Sequence, residues 1–177
     1  FKCSKLLINK EKYKQALKMD AQARWKYVHD LSKNTKRCGD DNEEGCQCLQ
    51  PKKIKKEGLA SLYAEWSGKD DNDEATNISI HLTPELVLKI FKRISDEDVT
   101  FMGFSPIWSR PDWMVCQVMA VPPPTVRPSV KHDAQQRSED DLSHILVNII
   151  KYNKILQEKI QNNAPENVIN EWATVLQ

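Results

Sequence analysis

Residues 138–177 read SEDDLSHILVNIIKYNKILQEKIQNNAPENVINEWATVLQ, and this stretch decides the architecture of the C-terminal part of the chain. Apolar residues recur at helical spacing on both sides of residues 161–165, a short turn that ends in proline. Two helices joined by so short a turn must run antiparallel. The stretch therefore predicts a helical hairpin, or coiled coil, and Ser138 with Asp141 has the spacing of a capping box at its start.

The two predicted arms differ in length, because the first covers about residues 138–161 and the second covers residues 165–177. The second arm can face little more than half of the first, so Leu142 and Ile145 have no facing helix from this chain. We expect them to mediate self-association unless the preceding part of the chain covers them. Asn153 interrupts the apolar stripe of the first arm, which comprises Leu142, Leu146, Ile149, Leu156 and Ile160.

The preceding residues alternate between helix and strand patterns. Helical spacing over residues 11–33 predicts a pair of amphipathic helices, the second capped by Asp20. A β-hairpin is predicted around Gly58, with strands over 52–56 and 59–66, and an acidic solvated loop over 68–76 precedes a strand at 78–82. These patterns indicate an α+β fold with a small antiparallel sheet and flanking helices.

The next segment contains two short predicted helices and a predicted strand. Thr83-Pro84 and Ser95 are typical helix starts, and Gly103 ends the second helix. Residues 113–121 have the pattern of a strand, with Cys116 as a small core residue. The prolines that follow predict an extended connector. We therefore assign residues 1–125 to a head, 126–137 to the connector and 138–177 to the hairpin.

Charge and hydropathy exclude several classes of protein. Lys and Arg number 26 against 25 Asp and Glu, which excludes a generally basic nucleic-acid coat and an acidic solvating tail. No apolar run approaches the roughly 20 residues of a membrane helix, so we expect no membrane association. Lysines interrupt the first residues, which predicts no cleavable signal, and both ends of the sequence suggest a piece of a longer chain.

The odd number of five cysteines argues against a closed disulfide framework. Cys46-Gln-Cys48 is a short pair of the kind that supplies two zinc ligands, and Cys38 lies upstream across a loop with two glycines. With the distant Cys3, these residues predict a structural zinc site, the alternative being free surface thiols. No H-E-x-x-H motif accompanies them, so a catalytic zinc is not predicted.

No motif predicts catalysis by these residues alone. The sequence lacks a glycine-rich phosphate loop and a G-x-S-x-G motif, and its four histidines have no ligand spacing. A small hydrolase is therefore disfavoured. The basic run Lys52, Lys53, Lys55 and Lys56 is a candidate for contact with phosphates, and a solvated strand edge explains it equally well.

Several ordered motifs resemble the largest subunit of eukaryotic RNA polymerase II. They are Ile90-Phe-Lys-Arg-Ile-Ser-Asp-Glu97, Ser109-Arg-Pro-Asp-Trp-Met114, Val121-Pro-Pro-Pro-Thr-Val-Arg-Pro-Ser-Val130, Glu139-Asp-Asp-Leu142 and Asn163-Ala-Pro165. The resemblance covers nearly the whole chain and is closest to the clamp region, with its head, zinc-bearing loop and coiled coil. Glu171-Trp172 leans toward the polymerase III form, so that subunit is the alternative, together with a free-standing zinc-containing interaction module.

The resemblance implies a part of a DNA-directed RNA polymerase, a nucleotidyltransferase of the nucleus that uses magnesium. The magnesium-binding aspartates of that family have no counterpart here, so the resemblance implies no catalysis by this piece. It implies other polymerase subunits, DNA, the RNA–DNA hybrid and initiation and elongation factors as partners. Arg127 is the expected nucleic-acid contact in the connector, and Lys151, Lys154 and Glu158 on the coiled coil are the expected factor-docking residues.

The resemblance also bears on the zinc ligands. The zinc site of the family begins with a C-x2-C pair, in which Cys3 corresponds to the second member and the first would precede Phe1. Cys38 and Cys46 correspond to the two later ligands. Cys48 has no counterpart, so its place in the site is doubtful and one ligand is expected to be missing unless Cys48 or solvent replaces it.

Overall fold

Helices and small antiparallel sheets share this chain, which confirms the predicted α+β class. The computed structural model describes residues 1–39, 45–58, 61–69, 75–133 and 136–177. The chain divides into two units, Phe1–Gln117 and Val118–Gln177. The finer division into head, connector and hairpin stays a prediction.

The first unit begins with two short helices, α1 over Lys10–Ala16 and α2 over Ala21–Ser32. The side chain of Asn9 accepts a hydrogen bond from the backbone N–H of Lys12 at 2.9 Å, which caps α1. Asp20 does the same for α2 through the backbone N–H of Ala23 at 2.9 Å. The predicted helix pair and its Asp20 cap are thereby confirmed.

A three-stranded antiparallel sheet follows, with β1 over Lys53–Glu57, β2 over Ser61–Lys69 and β3 over Ala75–His81, in that spatial order. Gly58 has a φ of +62° in the turn between β1 and β2, so the predicted hairpin is confirmed. Strand pairing extends to Lys69 with Ala75, so both ends of the loop predicted over 68–76 belong to the strands. The acidic residues 70–74 of that loop lie outside the described residues.

Two further helices, α3 over Pro84–Lys92 and α4 over Asp96–Phe101, begin where the sequence predicted. The Thr83 hydroxyl accepts from the backbone N–H of Leu86 at 3.3 Å, and the Ser95 hydroxyl accepts from that of Asp98 at 3.2 Å. Side-chain capping therefore defines both starts.

The predicted strand over 113–121 is wrong. Pro111–Met114 form a 3₁₀ turn, and no strand follows within the described residues before Val130. Arg110 fixes this turn, since its Nε donates to Asp112 Oδ1 at 2.9 Å and its Nη2 donates to the Ile94 carbonyl at 3.0 Å. Cys116 is consequently exposed and is not a core residue. Tertiary hydrogen bonds here outweigh a local strand preference.

The core of the first unit is small, and an arginine holds its helices together. The Arg24 guanidinium donates to the carbonyls of Ala16 at 3.1 Å, Met19 at 2.9 Å and Phe101 at 2.8 Å. The Cζ atom of Arg24 also lies 5.3 Å from the centroid of the Phe101 ring. The Tyr13 ring stacks on the same Phe101 ring. The buried apolar side chains among the described residues of the unit include Ala16, Cys38, Ala64, Leu82, Val99 and Phe101.

The second unit contains β4 over Val130–Lys131, β5 over Arg137–Ser138, α5 over Asp141–Gln161 and α6 over Glu166–Leu176. The strands β4 and β5 pair in antiparallel fashion within the segment expected to be an extended connector. In the same segment, the backbone N–H of Val126 donates to the Pro123 carbonyl at 3.0 Å, which closes a turn.

Helices α5 and α6 pack against each other, which confirms the predicted hairpin. The predicted cap Ser138 is wrong, because Ser138 pairs with Val130 in the sheet and Asp140 accepts from the backbone N–H of Leu142 at 2.8 Å instead. Tyr152 contacts Trp172 across the hairpin, with ring centroids 6.1 Å apart.

Exposure along α5 agrees with the sequence pattern at one end and differs at the other. Leu142 and Ile145 are exposed, as expected from the shorter second arm, and self-association through them stays a prediction. Ile160 is also exposed, so its predicted place in the packed stripe is wrong. No helix among the described residues has the length and apolar character needed to cross a membrane.

Gly103 provides a test of how α4 packs on α2. Its φ is +88°, and a Cβ there would lie 2.8 Å from the Ala21 Cβ, whereas Gly58 has φ +62° with open space around it. We expect Gly58→Ala to cost about 1 kcal/mol of unfolding free energy through backbone strain alone. Gly103→Ala should cost about 1–3 kcal/mol more because of the clash.

The measurement is urea denaturation of both variants and of Gly103→Ala combined with Ala21→Gly. A double-mutant cycle should show favourable coupling between positions 103 and 21, because Ala21→Gly removes the Cβ with which alanine at position 103 would clash. Equal losses for Gly58→Ala and Gly103→Ala would contradict the packing described.

Candidate metal centre

Three of the four cysteines predicted as ligands meet at one point of the first unit. The sulfur atoms of Cys3, Cys38 and Cys46 all lie within 4.8 Å of one another, and those of Cys3 and Cys38 are 3.5 Å apart. Cys38 is buried, and the other two are half-buried. Segments distant in the sequence therefore converge on a cluster of thiols.

Backbone hydrogen bonds shape the loop that carries Cys38 and Cys46. The N–H of Cys38 donates to the Cys48 carbonyl, and the N–H of Gln47 donates to the Cys38 carbonyl, both at 3.0 Å. Gln47 adopts a left-handed φ of +56°. A Cβ at Gly45 would lie 2.2 Å from the Cys38 carbonyl oxygen, so this position requires glycine.

The segment that carries Cys3 is held against α3 and the sheet. The Ser4 hydroxyl donates to the Ile90 carbonyl at 2.6 Å, and Arg93 donates to the Lys2 carbonyl. The Phe1 ring meets Trp66 edge to face, with centroids 5.1 Å apart. Trp66 in turn donates from Nε1 to the Leu49 carbonyl at 3.2 Å, which connects this segment, the sheet and the cysteine loop.

The thiols differ in acidity for identifiable reasons. Burial raises the pKa of Cys38 to about 11, because the charged thiolate loses its hydration. The backbone N–H of Cys48 lowers the pKa of Cys46 to about 6 by donating to its sulfur. The lowered pKa favours the thiolate form of Cys46, which is the form that binds metals.

The three sulfur atoms fit a tetrahedral metal site. Zinc–thiolate bonds of about 2.3 Å place sulfur ligands roughly 3.8 Å apart, close to the separation of Cys3 and Cys38. Cys48 lies outside the group of three, although its thiol forms a hydrogen bond with the sulfur of Cys46. Its carbonyl and N–H organise the loop, and a ligand role for Cys48 stays a prediction.

The predicted basic run is divided between the two faces of the sheet. Register places Lys53 and Lys55 on the same face as Glu65, with which Lys55 forms an ion pair, and it places Lys56 on the opposite face. Lys52 precedes β1 and is exposed. The pleat therefore prevents these lysines from forming a single basic surface.

The other predicted site residues lie in the second unit. Arg127 is half-buried, donating from Nε to the Pro122 carbonyl at 2.9 Å and from Nη1 to the Ser143 hydroxyl at 3.3 Å. Lys151, Lys154 and Glu158 are exposed on one side of α5. Arg127 thus orders the start of α5, and its contact with nucleic acid stays a prediction, as do the roles of the α5 residues.

Sequence reasoning missed residues that shape the cysteine cluster without belonging to it. Ser4 and Gln47 adopt left-handed backbone conformations, which serine and glutamine rarely do, so the sequence did not predict them. Gly45, directly before Cys46, was a local signal in the sequence that this segment approaches another part of the loop closely.

The family model described as RNA polymerase Rpb1, domain 1, matches residues 1–177. The chain belongs to this family. It is accordingly a domain of the largest subunit of a DNA-directed RNA polymerase, and it works with other polymerase subunits and nucleic acid in transcription. In a eukaryotic cell, such a subunit acts in the nucleus. The three converging cysteines therefore belong to a domain of a transcription enzyme.

The cysteine cluster predicts a specific pattern of metal loss. Cys38→Ser and Cys46→Ser should each lower affinity for Co²⁺ at least about tenfold, because a thiolate ligand is lost. Cys116→Ser is the matched control, since Cys116 is exposed and outside the cluster. The charge-transfer absorption of thiolate-bound Co²⁺ measures each affinity.

Cys48→Ser distinguishes a ligand from a residue that acts through its backbone. The substitution should leave the Co²⁺ spectrum unchanged if Cys48 contributes only through its backbone carbonyl and N–H. It should remove one thiolate band if the Cys48 sulfur is a ligand. Equal affinity in the wild type, Cys38→Ser and Cys46→Ser would contradict the metal site.

Proposed function

We propose that this domain is the clamp region of the largest subunit of RNA polymerase II, which closes over DNA and the RNA–DNA hybrid and docks transcription factors. The observation that carries the proposal is the presence of a helical hairpin, α5–α6, in the same polymerase domain as a three-thiol junction. The domain does not itself carry out nucleotide addition. Magnesium serves the catalytic centre elsewhere in the enzyme.

The metal that we propose for the cysteine cluster is structural zinc. Cysteine thiolates favour zinc over magnesium, and the described cluster includes no histidine or carboxylate that would point to another ion. Zinc would join the segment that carries Cys3 to the loop that carries Cys38 and Cys46. Its contribution would be to the folding of this junction, because binding free energy becomes folding free energy in such sites.

Nucleic-acid contact is proposed for basic residues of the sheet and the connector. Lys53 lies on the polar face of the sheet and is exposed, whereas Lys55 is partly neutralised by Glu65. Arg127 lies in the connector, with part of its hydrogen-bonding capacity already used. These groups neutralise few phosphates, so the domain alone is expected to bind DNA weakly.

The DNA contact predicts weak binding that decreases as the salt concentration rises. Each phosphate contact contributes a slope of about −0.9 to log K against log salt, so Lys53→Glu should reduce the slope by about one. Glu57→Gln, at the other end of β1, is the control for altered charge. Fluorescence anisotropy with duplex DNA measures both variants, and tight binding that persists at high salt would contradict the proposal.

Factor docking is proposed for the outer side of α5. Lys151, Lys154 and Glu158 recur at i, i+3 and i+7 and so share one side of the helix. The half-buried residues Tyr152 and Leu156 lie on the side packed against α6. The three charged residues therefore face away from the hairpin contact and are accessible to a partner.

Charge reversal tests this docking surface in the assembled polymerase. Combining Lys151→Glu with Lys154→Glu should weaken the binding of initiation and elongation factors roughly tenfold, because attraction becomes repulsion. Asn153→Glu adds a negative charge on another side of α5 and is the control. Elongation on a preformed scaffold without factors should be unchanged.

Factor binding that is unaffected by the double reversal would contradict the docking role. Binding of polymerase II factors, compared with polymerase III factors, to the wild-type polymerase decides between the two forms of the largest subunit. The proposal requires the polymerase II set.

A further inference from the structure

The three-stranded sheet has one polar and one apolar face. Strand register aligns Ile54, Ala64 and Ile80 in one cross-strand row, and Trp66 with Ile78 in the next. The opposite face carries polar rows, such as Lys53 with Glu65 and Ser79. Because alternate residues of a strand point to opposite faces, this division follows directly from the register.

Much of the apolar face is open to solvent. Ile54 is 57% exposed, Ile78 58%, Ile80 41% and Leu62 38%, and we call these four residues the isoleucine face. Ala64, at the centre of the same side of the sheet, is fully buried by its neighbours. The four side chains are therefore contiguous around Ala64, unlike scattered surface apolar residues, and contiguous apolar patches mark interaction sites.

The residues around the isoleucine face indicate the charge of its partner. Lys56 lies on this side of the sheet, next to Leu62 across the strands, and Lys52 precedes β1 at the edge. Among the described side chains of this face there is no carboxylate. The ion pair of Lys55 with Glu65 belongs to the other face. The flank formed by the described residues is therefore positive, and a partner complementary to it carries Asp or Glu beside its apolar residues.

The side chains of this face favour a protein partner over nucleic acid. Branched aliphatic side chains offer no ring on which a base can stack, and the described aromatic residue of the face, Trp66, is engaged by Phe1 and the Leu49 carbonyl. Phosphates would lose hydration against the four aliphatic side chains, which themselves donate no hydrogen bonds. A polypeptide with an apolar stripe gains by covering these residues.

We propose that the isoleucine face is the docking site for another subunit of the polymerase, which presents an apolar stripe flanked by acidic residues. This proposal rests on membership of the polymerase family, whose domains work beside other subunits, and on the exposure and charge described above. It does not depend on the clamp assignment or on zinc.

Site-specific photocrosslinking in the purified, assembled polymerase tests the proposal. A photoreactive phenylalanine analogue replaces Ile78 in one sample and Ser79 in the other, since these neighbours on β3 point to opposite faces. Position 78 should crosslink to another subunit, at a segment that mass spectrometry shows to contain apolar residues beside Asp or Glu. Position 79 should not crosslink to that segment.

Substitution provides an independent measurement. Ile78→Glu should lower the affinity of the crosslinked subunit roughly tenfold or more, because a buried apolar contact is replaced by a charge. Ser79→Glu should change it less than about twofold, and Lys56→Glu should weaken it with a reduced dependence on salt. Circular dichroism of each variant establishes that the sheet is retained.

Three crosslinking results would overturn the proposal. The first is crosslinking of position 78 to nucleic acid or to the largest subunit itself, and the second is crosslinking to a segment without acidic residues. The third is the absence of any crosslink from position 78 in a sample whose incorporation of the photoreactive analogue is measured to be complete. Equal effects of Ile78→Glu and Ser79→Glu in folded variants would overturn it as well.

Discussion

The convergence of Cys3, Cys38 and Cys46 is the constraint on which the first unit depends. Among the described residues of that unit few apolar side chains are buried, and Cys38 itself is one of them. Hydrophobic burial among these residues therefore holds few segments of the unit together. The cysteines bring a segment near one end of the sequence to a polar loop more than 30 residues away. A metal bound there would replace the core that the loop lacks.

Arginine side chains perform a related task where the helices meet. Arg24 and Arg110 each donate to backbone carbonyls at helix ends, where such groups lack partners within their own helix. A guanidinium offers five donors in a fixed plane, so one side chain satisfies several carbonyls at once. In the second unit, Arg127 connects the proline-rich segment to the start of α5 in the same way.

These rigid junctions leave distinct surfaces available to partners. The sheet offers a polar face with Lys53 and an apolar face with Ile78, while the outer side of α5 offers charges at helical spacing. The surfaces differ in chemistry, so each one selects a different class of partner.

The sequence alone determined the helix starts at Asp20, Thr83 and Ser95, the β-hairpin around Gly58 and the helical hairpin, because capping, turn and periodicity signals are local. It also singled out Cys3, Cys38, Cys46 and Cys48, of which the structure brings the first three together. Tertiary structure decided that residues 111–114 form a turn, since Arg110 reaches partners far along the chain. It likewise divided the lysines between two sheet faces and placed Ser138 in a strand, because pairing register depends on distant residues.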